Sequence, residues 1–155
     1  MDVKLAKPFV DATVNVLSTM AMITPEVDKP YVKGGNTASG DVSGVIGVTA
    51  NGNKNGVISV TFSKKCAIAI VKSLLGGEIE DVVNDVQDAV GEITNMISGQ
   101  ARQNLVDLGV TLSAATPTVI MGDNHTIAHV TKGNIMVVPF RTDEGDFVVE
   151  FSMDE

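Results

Sequence analysis

The chain has 155 residues and a net charge of −8, and Cys66 is its only cysteine. This length is enough for a single domain over residues 1–155, and one cysteine excludes an intrachain disulfide or a thiolate zinc site. The acidic balance excludes a nucleic-acid-binding surface, which needs clustered Lys and Arg. No segment is apolar and long enough to span a membrane, and the N-terminus lacks the apolar run of a signal peptide, so we predict a soluble cytoplasmic protein.

The first 62 residues predict one helix and three strands. Apolar residues recur at helical spacing up to Met20, with Pro8 in the first turns, and Thr24-Pro25 ends the helix. Asn-Gly pairs within residues 51–56 predict a hairpin turn. The predicted strands are a short one at Tyr31 and Val32 and two longer ones over residues 42–50 and 57–62.

Two helices are predicted in the middle of the chain. Ser63 is a favourable N-cap for a helix over residues 64–75, which Gly76-Gly77 ends. A long helix begins near residues 81–85, where acidic side chains suit the helix dipole, and ends at Gly109. Their predicted apolar stripes are Ile68, Val71, Leu74 and Leu75 in the first helix and Val86, Val90, Ile93, Ile97, Leu105 and Leu108 in the second.

The C-terminal part has the residue pattern of strands. The predicted strands cover residues 112–121, 126–130, 134–141 and 147–153. Pro139 has no N–H to donate to a sheet, so we expect it at a sheet edge or a bulge. The order helix, strands, two helices, strands, with short links, predicts an α+β fold in which helices cover a largely antiparallel sheet.

The long helix carries an unusual polar stripe. Asp88, Glu92, Asn95 and Gly99 are spaced by 4, 3 and 4 residues, so they span only about 60° of the helix surface. The apolar stripe of the same helix lies almost opposite, which predicts that the polar stripe faces solvent. An exposed Gly within a helix costs about 1 kcal/mol relative to Ala, so something is expected to approach the backbone there. The stripe therefore predicts a docking surface.

Two other groups of side chains could bind a metal ion, and simpler interpretations are favoured for both. His125 and His129 lie on a predicted strand, where residues four apart are about 13 Å from each other and cannot share one ion. Acidic residues at the start of a helix more often serve as surface charge that complements the helix dipole. The acidic residues in question are Asp41, Asp81, Asp85 and Asp88.

The sequence signals for a phosphate-binding loop and for a catalytic nucleophile are weaker still. Residues 34–40 have the composition of a phosphate-binding loop but lack its Lys-Ser/Thr ending, so a flexible connection is favoured. Ser18, Ser63 and Ser98 have no sequence context of an activated nucleophile. Cys66 follows two lysines early in a helix, where its pKa could be lowered, but a buried and inert thiol is favoured.

Residues 88–99 resemble the signature of the CheC/CheX family of chemotaxis phosphatases. In that family an acidic or hydroxyl residue is followed by Glu four residues later, then by Asn and Gly, and Asp88, Glu92, Asn95 and Gly99 match all four positions. CheC-type members carry a second copy in another helix. Here the first helix has Asp11 and Asn15 without the required Glu. The chain therefore resembles the single-signature CheX type, whose members form homodimers.

The resemblance implies a phosphatase that acts on the phosphoaspartate of a CheY-like response regulator. Asn95 would orient the attacking water, Glu92 would pair with the regulator's active-site lysine, Asp88 would be a peripheral contact, and Gly99 would let the regulator approach. No cofactor of its own is implied, and Mg²⁺ is expected on the regulator. The alternative is a non-catalytic module that binds response regulators or resembles the flagellar switch proteins.

Overall fold

The computed structural model describes residues 6–33, 40–76, 82–122 and 135–153. Within these residues three helices and eight strands form. The helices are α1 (Ala6–Met20), α2 (Lys64–Leu75) and α3 (Val82–Val106). The strands are β1 (Glu26–Val27), β2 (Tyr31–Lys33), β3 (Val42–Ala50), β4 (Lys54–Phe62), β5 (Leu112–Ala114), β6 (Thr118–Met121), β7 (Ile135–Arg141) and β8 (Phe147–Met153).

The eight strands form one antiparallel sheet in the order β1-β7-β8-β4-β3-β5, with β2 also paired to β7 and β6 also paired to β3. The predicted α+β fold is confirmed. The β3–β4 hairpin turns at Asn51 and Gly52, both with positive φ. Such a turn favours Asn-Gly because both residues adopt positive φ readily, and its twist matches that of the strands.

The strand predicted over residues 112–121 is in fact two strands. β5 pairs with residues 48–50 of β3, and β6 pairs with residues 42–45 of the same strand. Pro117 lies between them and has no N–H to continue the ladder. The predicted strand over residues 126–130 lies outside the described residues.

Pro139 was predicted at a sheet edge or a bulge; the sheet edge is wrong, and the pairing beside Pro139 is instead interrupted. β7 pairs with β8 on one side and with both β1 and β2 on the other. Pro139 lies opposite the gap between β1 and β2, where its carbonyl oxygen accepts a hydrogen bond from the Asp28 amide at 2.8 Å. The missing N–H of Pro139 would face the same side as this carbonyl, where β7 has no strand partner among the described residues. The hydrogen bonds between β7 and β8 are therefore unaffected.

Three predicted core residues, Met20, Leu75 and Leu108, are exposed instead. Leu108 lies beyond the end of α3, in a turn that the positive φ of Gly109 closes, so helical periodicity no longer applies to it. The other two occupy the last positions of α1 and α2. The buried face of α2 is Cys66, Ala67, Ile70 and Val71, rotated from the predicted stripe towards smaller side chains. Small residues allow α2 to pack closely, which hydrophobicity alone does not reveal.

A buried ion pair connects β2 to β8. The Lys33 ammonium lies 2.9 Å from Glu150 Oε1 and 2.8 Å from Oε2. The Glu150 side chain is 0% exposed and that of Lys33 is 12% exposed. A carboxylate so deeply buried needs a cation and further hydrogen bonds to offset the loss of hydration. The pair therefore ties the short edge strand β2 to the centre of the sheet.

Candidate functional site

The stripe residues of α3 lie on the face of the helix that points away from the core. Asp88, Glu92 and Asn95 are exposed and Gly99 is half-buried, while the opposite face packs into the main core. No side-chain hydrogen bond or ion pair joins Asp88, Glu92 or Asn95 to another residue in the part of the chain that the structure describes. Their polar atoms are therefore available to a partner.

The position of Asn95 is set by its neighbour Thr94, which lies on the buried face of α3. A Cβ atom built at Gly44 of β3 would overlap the Thr94 hydroxyl oxygen, so Gly44 is needed for α3 to lie this close to the sheet. The same hydroxyl donates to the Val90 carbonyl oxygen at 2.7 Å, which satisfies it inside the core. α3 thus cannot slide or rotate easily, and the Asn95 amide is presented from a rigid element.

Helix α1 lies beside α3 and forms a groove with it. Asn15 donates to Gln100 at 2.8 Å, and Asn104 donates to the Pro8 carbonyl oxygen at 3.1 Å, so polar contacts join the two helices at two points. The groove has a volume of about 540 Å³ and is open to solvent. We call it the Gly99 groove; its lining includes Met20, Met96, Gly99, Arg102, Val106 and Leu112.

Gly99 has open space at the position of its missing side chain. The nearest heavy atom to a Cβ built there is Arg102 Nη2, at 3.9 Å. No packing contact with the described residues therefore requires glycine at this position. The predicted role of Gly99 in letting a partner approach stays a prediction.

Sequence reasoning missed Arg102, a residue that the structure places on the stripe. Arg102 follows Gly99 by three residues and continues the spacing of 4, 3 and 4 by a further 3. That spacing was the signal that could have identified it. The extended face is acidic at Asp88 and Glu92 and cationic at Arg102.

The candidate metal sites gain no support from the described residues. Within residues 6–33, 40–76, 82–122 and 135–153, no three His, Cys, Asp or Glu side chains are grouped to hold an ion. Asp41 accepts a hydrogen bond from the Lys64 amide at 2.7 Å and so caps the start of α2. Asp81, His125 and His129, together with residues 34–39 of the predicted loop, lie outside the described residues.

The candidate nucleophiles have structural roles or are shielded. The Ser63 hydroxyl accepts from the Cys66 amide at 3.2 Å, which confirms the predicted N-cap of α2. Ser98 is buried on α3, and Ser18 is half-buried on α1.

Cys66 is buried, as predicted. Burial raises the pKa of its thiol to about 12, with smaller contributions in the same direction from Asp146 and Glu144, while a hydrogen bond with Thr142 acts in the opposite direction. The thiol is therefore protonated and inert at neutral pH.

Two comparisons identify the family. A sequence model of the family described as chemotaxis phosphatase CheX matches residues 42–141, a range that includes the whole stripe. The chain belongs to this CheX family. The crystal structure of a chemotaxis protein CheX from Desulfovibrio desulfuricans is 58% identical to it, with a TM-score of 0.93 over 98% of this chain and 100% of that one. The resemblance inferred from residues 88–99 is confirmed, and with it the class of chemotaxis phosphatase.

More distant relatives are similar to the chain over almost their whole length. The CheY-P phosphatase CheX of Thermotoga maritima is 25% identical over 155 residues, which are 99% of this chain and 97% of that protein. The complex of CheX with CheY, BeF3 and Mg²⁺ from Borrelia burgdorferi is 24% identical, with a TM-score of 0.81 over 99% of this chain and 100% of that one. No helix in the described parts of this CheX-family chain is both long and apolar enough to cross a membrane.

Proposed function

We propose that this chain hydrolyses the phosphoaspartate of a CheY-type response regulator, with Asn95 orienting the attacking water and Glu92 positioning the regulator. The observation that carries the proposal is the exposure of both side chains, one turn apart on a rigid helix, with no bonding partner among the described residues. The relative from Thermotoga maritima is a phosphatase of phosphorylated CheY, which supports the same substrate class for this chain.

A site of two side chains is sufficient for this reaction because phosphoryl transfer depends mainly on positioning and charge neutralisation. The Asn95 amide can accept a hydrogen bond from the water through its oxygen and donate one to the regulator through its nitrogen, without any change of protonation. The water oxygen attacks phosphorus and the bond from phosphorus to the aspartate oxygen breaks. Inorganic phosphate and a free carboxylate are the products, and the water proton goes to the phosphate. Fixing the water in line removes much of its entropic cost.

Glu92 has a docking role in this proposal. Its carboxylate lies one turn before Asn95 on the same face, and pairing with the regulator's active-site lysine would set the register of the two proteins. Such a pair contributes little when exposed and more once the interface excludes water. Asp88, a further turn away, would be a peripheral polar contact.

The divalent ion required for the reaction belongs to the regulator in this proposal. The Borrelia burgdorferi complex contains Mg²⁺ together with CheY and BeF3, and beryllium fluoride stands in for the phosphoryl group. This chain would then supply no metal ligand and would need no cofactor of its own. The predicted cytoplasmic location is part of the same proposal.

The proposed function is tested by the release of phosphate from a Mg²⁺-bound, phosphorylated CheY-type regulator with and without this protein. Acceleration that depends on the amount of protein added would support the phosphatase. Tight binding of the regulator without acceleration would instead support the alternative, a non-catalytic adaptor.

Glu92→Lys should weaken binding of the BeF3-activated regulator about tenfold, because it places two cations together at a specific contact. The helix should remain intact since Glu92 lies away from the core. Affinity is measured by titration, with Asp107→Lys as a control of equal charge change at an exposed position off the stripe. If both variants bind equally well, Glu92 does not contact the regulator.

The predicted homodimer, which would leave both stripes open, is also part of the proposal. β5 lies beside the Gly99 groove through Leu112, whereas β1 and β2 lie at the opposite edge of the sheet. Val27 is 46% exposed and Val32 is 55% exposed at that opposite edge. No further strand pairs with this edge in the part of the chain that the structure describes. An unpaired edge with apolar side chains favours pairing with a second chain, and two-fold pairs are the commonest oligomers.

Light scattering should give a dimeric mass at micromolar concentration for the wild type and a monomeric mass for Val32→Asp, because a charge at the edge opposes strand pairing. Val83→Asp, an equally exposed valine on α3, is the control and should stay dimeric. A monomeric wild type, or a dimer that prevents regulator binding, would overturn this interface.

A further inference from the structure

Arg102 extends the docking face of α3 beyond Asn95. It follows Asn95 by seven residues, so it lies within the same sector of about 80° of the helix surface as the rest of the stripe. Its side chain is half-buried along the Gly99 groove. The long stem can pack on the apolar lining while the guanidinium stays at the mouth.

The guanidinium points back along α3 towards Asn95. Arg102 Nη2 lies 3.9 Å from the position that a Cβ of Gly99 would occupy, and helical side chains generally lean towards the N-terminus of their helix. The positive charge therefore lies over Gly99, one turn of about 6 Å along the axis from Asn95. Asn95 is thus flanked by the carboxylate of Glu92 on one side and this guanidinium on the other.

The guanidinium also has an unused donor. Arg102 Nε is shielded from solvent and has no hydrogen-bond partner among the described residues. Arg141, in contrast, lies 3.0 Å from Asp28 and 3.8 Å from Glu26. A shielded donor without a partner is unfavourable, so an acceptor is expected from beyond the described residues. The planar fork of arginine matches a carboxylate through two parallel hydrogen bonds.

We propose that Arg102 binds a carboxylate side chain of the docked response regulator and thereby determines which regulators fit and in which orientation. This inference rests on the proposed function. The face then requires a cation from the regulator at Glu92 and an anion at Arg102, and only one orientation of the partner supplies both. A regulator that lacks the acidic residue would dock more weakly even with an identical phosphorylated site.

The expected result is a separation of KM from kcat in phosphate release from the phosphorylated regulator. Arg102→Glu should raise KM about tenfold at low salt and leave kcat within about twofold, because a charge reversal at the rim of an interface acts on docking. Arg102→Met keeps the stem that packs in the groove and should raise KM less. Arg102→Lys should recover part of the loss. Arg141→Glu, which changes the charge equally on strand β7 away from α3, should leave KM unchanged.

A second arm identifies the partner carboxylate. Acidic residues of the regulator are changed one at a time to Lys, and one of these changes should restore the KM of Arg102→Glu while weakening docking to the wild type. The salt dependence of KM should also be smaller for Arg102→Met than for the wild type, because one charge pair is lost.

Three outcomes would overturn the inference. In the first, Arg102→Glu has the same KM as Arg141→Glu. In the second, kcat falls while KM is unchanged, which would mean that the guanidinium acts on the phosphoryl group. In the third, no change of an acidic regulator residue to Lys restores the KM of Arg102→Glu. Failure of the proposed function itself has a different signature, in which the wild-type protein does not accelerate phosphate release at all.

Discussion

Asn95→Ala should lower the stimulated rate of phosphate release by about 10²–10⁴-fold, or roughly 3–5 kcal/mol of transition-state stabilisation. The amide is the group proposed to hold the water in line with phosphorus, and alanine offers neither donor nor acceptor. Binding of the BeF3-activated regulator should persist, since Glu92 and the rest of the face are unchanged. Stability should change by less than about 0.5 kcal/mol because the side chain is exposed.

The rate is measured in single-turnover release of phosphate at saturating amounts of this protein, so that binding and chemistry are separated. Gln87→Ala is the matched control, because Gln87 is an exposed amide on the same helix but off the stripe. It should turn over like the wild type. A folded Asn95→Ala variant with undiminished turnover would remove Asn95 from the mechanism.

Lys33→Met should lower the free energy of unfolding by about 3–5 kcal/mol, the largest stability effect that we expect from a single change. The substitution keeps the length of the stem but leaves the Glu150 carboxylate, 0% exposed, without its cation. The cost therefore comes from an uncompensated buried charge rather than from lost packing. Chemical denaturation at neutral pH measures it.

Lys7→Met is the control for this prediction. Lys7 lies 2.9 Å from Asp11, almost the same separation as in the buried pair, but both side chains are more than half exposed. Solvent screens such a pair, so its loss should cost about 0–1 kcal/mol. The double variant Lys33→Met, Glu150→Leu should recover much of the stability, since an apolar pair needs no ion partner. If the Lys33→Met single variant were as stable as Lys7→Met, the buried pair would contribute little to stability.

Local signals in the sequence were sufficient for much of the fold. Ser63 and Gly76 bound α2 where they were predicted to, because an N-cap hydroxyl and a left-handed glycine act on their own turn of the helix. The Asn51-Gly52 turn depends on neighbours one or two positions away in the same way. The stripe of Asp88, Glu92 and Asn95 also lies within one helix, so its exposure followed from spacing alone.

Only the tertiary structure decided the features that depend on contacts between distant segments. Pro139 lies in an interior strand because β1 and β2 leave a gap opposite it, and no local pattern predicts that pairing. The fit of Gly44 under Thr94 joins residues fifty positions apart and holds α3 on the sheet.

The Gly99 groove depends on tertiary structure in the same way, since it exists only where α1 lies beside α3. The sequence by itself therefore determined which residues are presented on α3, since that depends on one helix. Packing decided the position of that helix in the fold and the groups that flank Asn95. These features depend on contacts between residues far apart in the chain, whose spacing in the sequence does not predict them.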